Sequence, residues 1–167
     1  SPEDAGPTVS RLGDVWICGR HRLACGNALE RSSYEALLGT DRAAMGIHDA
    51  PYNVSVTRHV SKSGRHGEFV MASGEMSRAE FTAFLTRFLQ CSTAVVRPGA
   101  IQFVFMDWRH MGEVLEAGEA CALALKNLCV WNKGVGAMGS FYRSQHELVF
   151  VFKEPNGPHL NTIQLGK

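Results

Sequence analysis

Residues 42–54 read RAAMGIHDAPYNV. The first seven, 42–48, form a short apolar run that suits a β-strand. A carboxylate, a proline and a tyrosine follow at once, at Asp49, Pro51 and Tyr52. A turn is the plainest reading of such a cluster. In α/β sheets, however, ligands bind just beyond the carboxyl ends of strands, so 49–53 is also where a site belongs. The flanking sequence has to separate the two.

On either side, strand and helix signals alternate. GDVWICGRHRLACGNAL (13–29) breaks short apolar pieces with glycine, as a pair of short strands would. SSYEALLGT (32–40) predicts a short helix capped by Ser32 or Ser33. Polar, glycine-bearing sequence from 55 to 74 has little periodicity and reads as a long loop. Ser77 and Glu80 then make a capping box. Phe81, Phe84, Leu85, Phe88 and Leu89 follow at one-face helical spacing, and Pro98-Gly99 stop that helix. AIQFVFMD (100–107) predicts a strand buried on both faces, as in a parallel sheet. HMGEVLEAGEACALAL (110–125) is a helix weakened by two glycines. NLCVWN (127–132) and HELVFVF (146–152) are two further strands. The pattern predicts an α/β sheet with helices on its faces.

Composition removes several function classes. The 167 residues suit one domain with a real core, and 45% hydrophobic with 20% charged residues is ordinary for a globular protein. No run approaches the ~18 apolar residues of a membrane span, and the polar start has no signal-peptide core. The cytoplasm is the expected compartment, with 1–11 as a linker and 12–167 as the domain. The five cysteines form no CxxC pair and no zinc pattern. The apolar settings of Cys18, Cys91 and Cys129 predict buried, reduced thiols, and no metal site is expected. A net charge of +1 means that any contact with DNA must rest on local charge. GVGAMG (134–139) matches a dinucleotide-binding pattern, but loop and strand sequence follows where a helix is required. A flexible glycine loop is the better reading.

The chemistry available to 49–53 is specific. The lone pair of an exocyclic amino group on a nucleobase is delocalised into the ring, so its nitrogen is a poor nucleophile. Acceptors aimed at its two protons favour the electron-rich nitrogen of the transition state. Asp49 supplies one acceptor, a main-chain carbonyl held by a stiff proline segment supplies another, and Tyr52 offers a stacking face. The base must first leave the duplex.

DAPY resembles the D-P-P-Y motif of the amino-group DNA methyltransferases, which act on adenine or cytosine and use S-adenosylmethionine. GRHRLACGNA, MASGEMSRAEF, FMDWRHM and VWNKGVGAMGSFYRSQHELVFVFK resemble blocks of one bacterial and phage subgroup of that family, in order, from about Leu12 to Lys167. The resemblance implies a Rossmann-like methyltransferase fold, double-stranded DNA as partner, and a ParB-like domain preceding this region in the parent protein. By position, Asp49, Ala50, Pro51 and Tyr52 match the catalytic motif, with Asn53 continuing it. Trp131, Lys133, Tyr142, Arg143, His146 and Glu147 match the later block that shapes the target-base pocket. Asn27 stands where the family has an aspartate that assists cofactor binding, and Asp49 is a second cofactor-contact candidate. The basic loop carrying Arg58, Lys62 and Arg65 is the candidate for DNA backbone contact.

Two departures stand out: Ala50 replaces the first proline, and Asn27 lacks the carboxylate charge. The family's F-x-G-x-G cofactor loop does not occur in the chain. The expectation is therefore an incomplete, target-base half of the domain, inactive by itself, within an active parent methyltransferase. The alternative is a decayed, non-catalytic DNA-binding or assembly module. Methylation of protein or RNA is a third class, in which Asn usually stands where Asp49 does. A sheet edge left open would also favour a homodimer.

Overall fold

The computed structural model describes residues 9–54, 71–136 and 142–160. The chain begins with a small antiparallel hairpin of β1 (Val15–Cys18) and β2 (His21–Ala24), followed by helix α1 (Arg31–Leu38). Strand β3 (Ala43–His48), helix α2 (Arg78–Thr93) and strand β4 (Val96–Met106) come next. A 3-10 turn (Trp108–His110) leads into helix α3 (Met111–Ala120), and β5 (Ala124–Asn132) and β6 (His146–Lys153) end the described fold. The four later strands form one mixed sheet in the order β3-β4-β6-β5. β3 and β4 run parallel, and β6 is antiparallel to both of its neighbours.

The core lies on one face of this sheet. Phe81, Leu85, Phe88 and Leu89 of α2 and Val114 and Ala117 of α3 pack with Val104 and Met106 of β4 and with Leu148, Phe150 and Phe152 of β6. The period-2 alternation of strands aims every second side chain at these helices. The capping box starts α2 as the sequence predicts: Ser77 accepts from the Glu80 N–H and the Glu80 carboxylate accepts from the Ser77 N–H. On the opposite face Met45 and Ile47 are 53% and 64% exposed, while Ile101, Phe103, Phe105 and Val151 are half-buried.

Several expectations need correction. β4 is not equally buried on both faces, because α2 and α3 cover only the side of Ala100, Gln102, Val104 and Met106. The sheet is mixed, since β6 enters beside β4 in the antiparallel sense. Pro98-Gly99 do not stop α2, which ends at Thr93; they lie inside the irregular start of β4. There Gly99 takes φ +77, which glycine adopts without strain, and its N–H donates to Glu154. α1 is preceded by Glu30, with no side-chain cap from Ser32 or Ser33. α3 ends at Ala120, five residues short of the predicted end, and β5 starts at Ala124. Among the cysteines only Cys91 is buried; Cys121 is half-buried, and Cys18, Cys25 and Cys129 are exposed on the hairpin and on β5. Among the described residues no helix is long and apolar enough to cross a membrane.

Candidate functional site

The strand directions gather the site at one edge of the sheet. β3 and β4 both end there, β6 begins there, and β5, antiparallel to β6, returns to it. Asp49–Asn53, Asp107–Arg109, Asn132–Gly134 and Gln145–Glu147 therefore share that edge. Tyr52 and Glu147, 95 positions apart in sequence, meet only because of this order.

At its centre lies a polar cluster. The Tyr52 hydroxyl is 2.7 Å from Asp49 Oδ1 and 3.3 Å from Glu147 Oε2. Glu147 is also paired with the Lys133 ammonium. Burial pushes the Tyr52 phenol well above its ordinary range, and the hydrogen bond and negative charge of Asp49 and the charge of Glu147 push the same way. The ring packs on the apolar core, as does half-buried Ala50. Ala50 thus fills a core-facing position that a small apolar side chain satisfies.

Trp131 is 52% exposed and meets Phe105 edge-on at 5.9 Å, with Lys133 Nζ 5.8 Å from its ring centre. Glu147 and Trp131 are register partners, as are His146 and Asn132. The Lys133 N–H donates to the Gln145 carbonyl at 2.7 Å, extending the β5–β6 ladder. Tyr142 and Arg143 are exposed on the return to β6. Pro51 is half-buried in the turn. Asn53 is buried at φ +52, and its amide is spent on the loop that precedes α2. Its Nδ2 donates to Met76 O, and its Oδ1 accepts from the N–H groups of Gly74 and Met76. Arg58, Lys62 and Arg65 lie outside the described residues.

Beneath the turn, His48 Nε2 stands 2.5 Å from Gln102 Oε1 and its ring meets Phe88 edge-on. Neither residue was singled out by the sequence, because Gln102 hides inside an apolar run. Asp107 caps the adjacent 3-10 turn, accepting from the Arg109 N–H and holding its guanidinium through both oxygens. That guanidinium lies 4.8 Å from the ring centre of Trp108, which is 47% exposed.

Among the described residues Asn27 forms no hydrogen bond with this group. It lines a separate cleft of about 350 Å³ between the hairpin and α1, with Leu12, Gly26, Glu30, Ser32 and Ser33 among the walls. Its Oδ1 accepts from the Leu29 N–H and its Nδ2 donates to Glu30. Glu30 was missed by the sequence reading, although the N-x-x-E spacing is the kind that brings two such side chains together.

No protein-family model matches the chain, and no curated protein matches it in sequence. Solved structures do match. The crystal structure of M1.HpyAVI aligns over 82% of this chain and 62% of its own, at 14% identity and a TM-score of 0.50. The M1.HpyAVI–SAM complex aligns over 77% of this chain and 52% of its own, at 14% identity and a TM-score of 0.49. The chain thus spans between half and two thirds of the length of these structures. Within that span it carries the mixed α/β fold of S-adenosylmethionine-dependent methyltransferases, with a partial sheet and its helices.

Proposed function

We propose that this chain is the target-base part of a DNA amino-methyltransferase that acts on an adenine or cytosine turned out of the duplex. One observation carries the reading. Asp49 follows the end of β3 at the same sheet edge where Tyr52, Trp131, Lys133 and Glu147 converge, and Asp49 Oδ2 carries no hydrogen bond among the described residues. A free carboxylate oxygen beside exposed aromatic surface suits a planar ring bearing an amino group. Asp49 accepts a hydrogen bond from one amino N–H and the carbonyl of Ala50 accepts from the other, which localises the lone pair on nitrogen. That lone pair attacks the methyl carbon as its bond to sulfur breaks, the thioether leaves with the bonding pair, and one N–H proton is then lost through Asp49 to solvent. Trp131 and Tyr52 supply apolar surface that offsets the unstacking cost of a few kcal/mol.

S-adenosylmethionine supplies the electrophilic methyl group when bound. The cleft between the hairpin and α1 has a volume in the range of ligand sites. Its donor set also suits the amino-acid end of that molecule: Glu30 brings a carboxylate for an ammonium, and Ser32 and Ser33 bring hydroxyls. Asn27, bonded to Glu30, holds that carboxylate in place. The charge that an aspartate at position 27 would bring is thereby available three residues later.

The test is transfer of labelled methyl from S-adenosylmethionine to duplex DNA by the full-length parent. The expected result is transfer by the wild type and loss of at least about a hundredfold in kcat for Asp49→Ala. A folded parent that binds DNA and never transfers methyl would favour the non-catalytic DNA-binding alternative, for which Ala50 and Asn27 are the motivating departures.

A further inference from the structure

We infer that Tyr52 is a positioning residue for Asp49: its hydroxyl, set between Asp49 and Glu147, holds one carboxylate oxygen and leaves the other to an incoming amino group. The inference deepens the amino-methyltransferase reading and rests on it for the identity of that incoming group.

The proton count makes the case. A phenol has one proton, and two carboxylates stand within reach of it. The shorter contact, 2.7 Å to Asp49 Oδ1, takes the hydrogen bond; Glu147 Oε2 at 3.3 Å is the weaker partner. Two carboxylates flanking one hydroxyl repel each other, and the Lys133 ammonium on Glu147 offsets that repulsion. Glu147 and Lys133 are fixed in turn by the β5–β6 ladder, through the Trp131–Glu147 register pair and the Lys133 N–H to Gln145 O bond. The Tyr52 ring is held against the core, so the hydroxyl cannot swing away without losing apolar contact. Asp49 follows a strand end and is itself exposed, and among the described residues the Tyr52 hydroxyl is its one hydrogen-bond partner. An exposed carboxylate has several rotamers of similar energy, and a bond to a rigid phenol selects one. Acceptors aimed in advance avoid reorganisation during the reaction.

Two measurements test this. In the first, a fluorinated tyrosine, whose phenol ionises nearer neutrality, replaces Tyr52 in the 167-residue chain, and its fluorine resonance is followed against pH. Ionisation is expected at higher pH than in the free fluorinated amino acid, with the midpoint moved down by Asp49→Asn and by Glu147→Gln. A midpoint equal to the free amino acid, or one moved by Glu147→Gln alone, overturns the inference. In the second, Tyr52→Phe in the parent is expected to lower kcat about tenfold while KM for DNA stays within about twofold. Tyr52→Ala, which also loses the ring, is expected to worsen both. An unchanged kcat in Tyr52→Phe overturns the positioning role. Absence of transfer by the wild-type parent overturns the methyl-transfer reading, and the titration then decides the role of the hydroxyl by itself.

Discussion

His48, the last residue of β3, and Gln102, in the middle of β4, are joined by a 2.5 Å contact on the helix-covered face of the sheet, directly before the Asp49 turn. Gln102 is fully buried, and its Nε2 has no hydrogen-bond partner among the described residues. A polar pair in this position costs free energy unless it stays bonded. It ties the strand that presents Asp49 to the central strand of the sheet.

This pair makes stability depend on pH. Burial holds the His48 imidazole below its ordinary value of 6.5, with the Gln102 bond opposing part of that. The unfolded chain therefore takes up a proton before the folded one does. Stability is fully present above the unfolded value and falls as pH drops below it, toward the folded value. Urea midpoints measured at about pH 7.5 and about pH 5.5 should differ more for the wild type than for His48→Gln. Equal differences in the two proteins would show that His48 does not carry the dependence.

Gly46 allows the same pair to form. A Cβ at this position would overlap Gln102 Oε1 and His48 Nε2. Gly46→Ala should cost about 1–3 kcal/mol of unfolding free energy, read from chemical denaturation, as overpacking of a filled interior does. A stable Gly46→Ala variant that keeps the His48 pH dependence would mean that the pair has room to shift.

Asn53 clamps the chain after Tyr52 to the turn before α2 through three hydrogen bonds, at a positive φ. Asn53→Gly keeps the backbone conformation and loses the bonds, whereas Asn53→Ala loses both. The expected cost is about 2–3 kcal/mol for glycine and more for alanine. Reversal of that order in thermal or urea unfolding would place the effect elsewhere than in the backbone.

The thiols should divide by burial. Cys18, Cys25 and Cys129 are exposed and should react with an aromatic disulfide reagent in the folded protein. Cys91 is 2% exposed and bonded to the Leu29 carbonyl, so it should react only on unfolding. Half-buried Cys121, whose thiol burial pushes to higher pH, should react slowly. Fast labelling of Cys91 in the native protein would contradict the packing of α2 against the segment before α1.

Ile47 and Met45 project from the half-exposed face of β3, an edge strand of the sheet. Edge strands with apolar side chains and no charge favour self-association. Ile47→Lys should reduce any concentration-dependent association seen by light scattering and leave helix content unchanged. Association of equal strength in the variant would locate the contact on another surface.

Much of this protein is legible in its sequence because the signals are local. The capping box and the one-face apolar spacing of α2 are contained within thirteen residues, Ser77 to Leu89. The strands β3, β5 and β6 follow from short runs of apolar and β-branched side chains bounded by turn residues. The motif-like order from Asp49 to Glu147 was visible for the same reason. Other features depend on partners far away in the chain. Which face of β4 is covered was decided by where α2 and α3 pack, and the antiparallel entry of β6 by strand pairing. The exposure of Cys18 and Cys129 followed from their places on the hairpin and the outer strand β5. The same holds at the site. Local sequence names Asp49 and Tyr52 but cannot state that one hydroxyl reaches a carboxylate 95 residues later. Hydrogen bonds act over about 3 Å in space, and only the tertiary fold turns sequence distance into that separation.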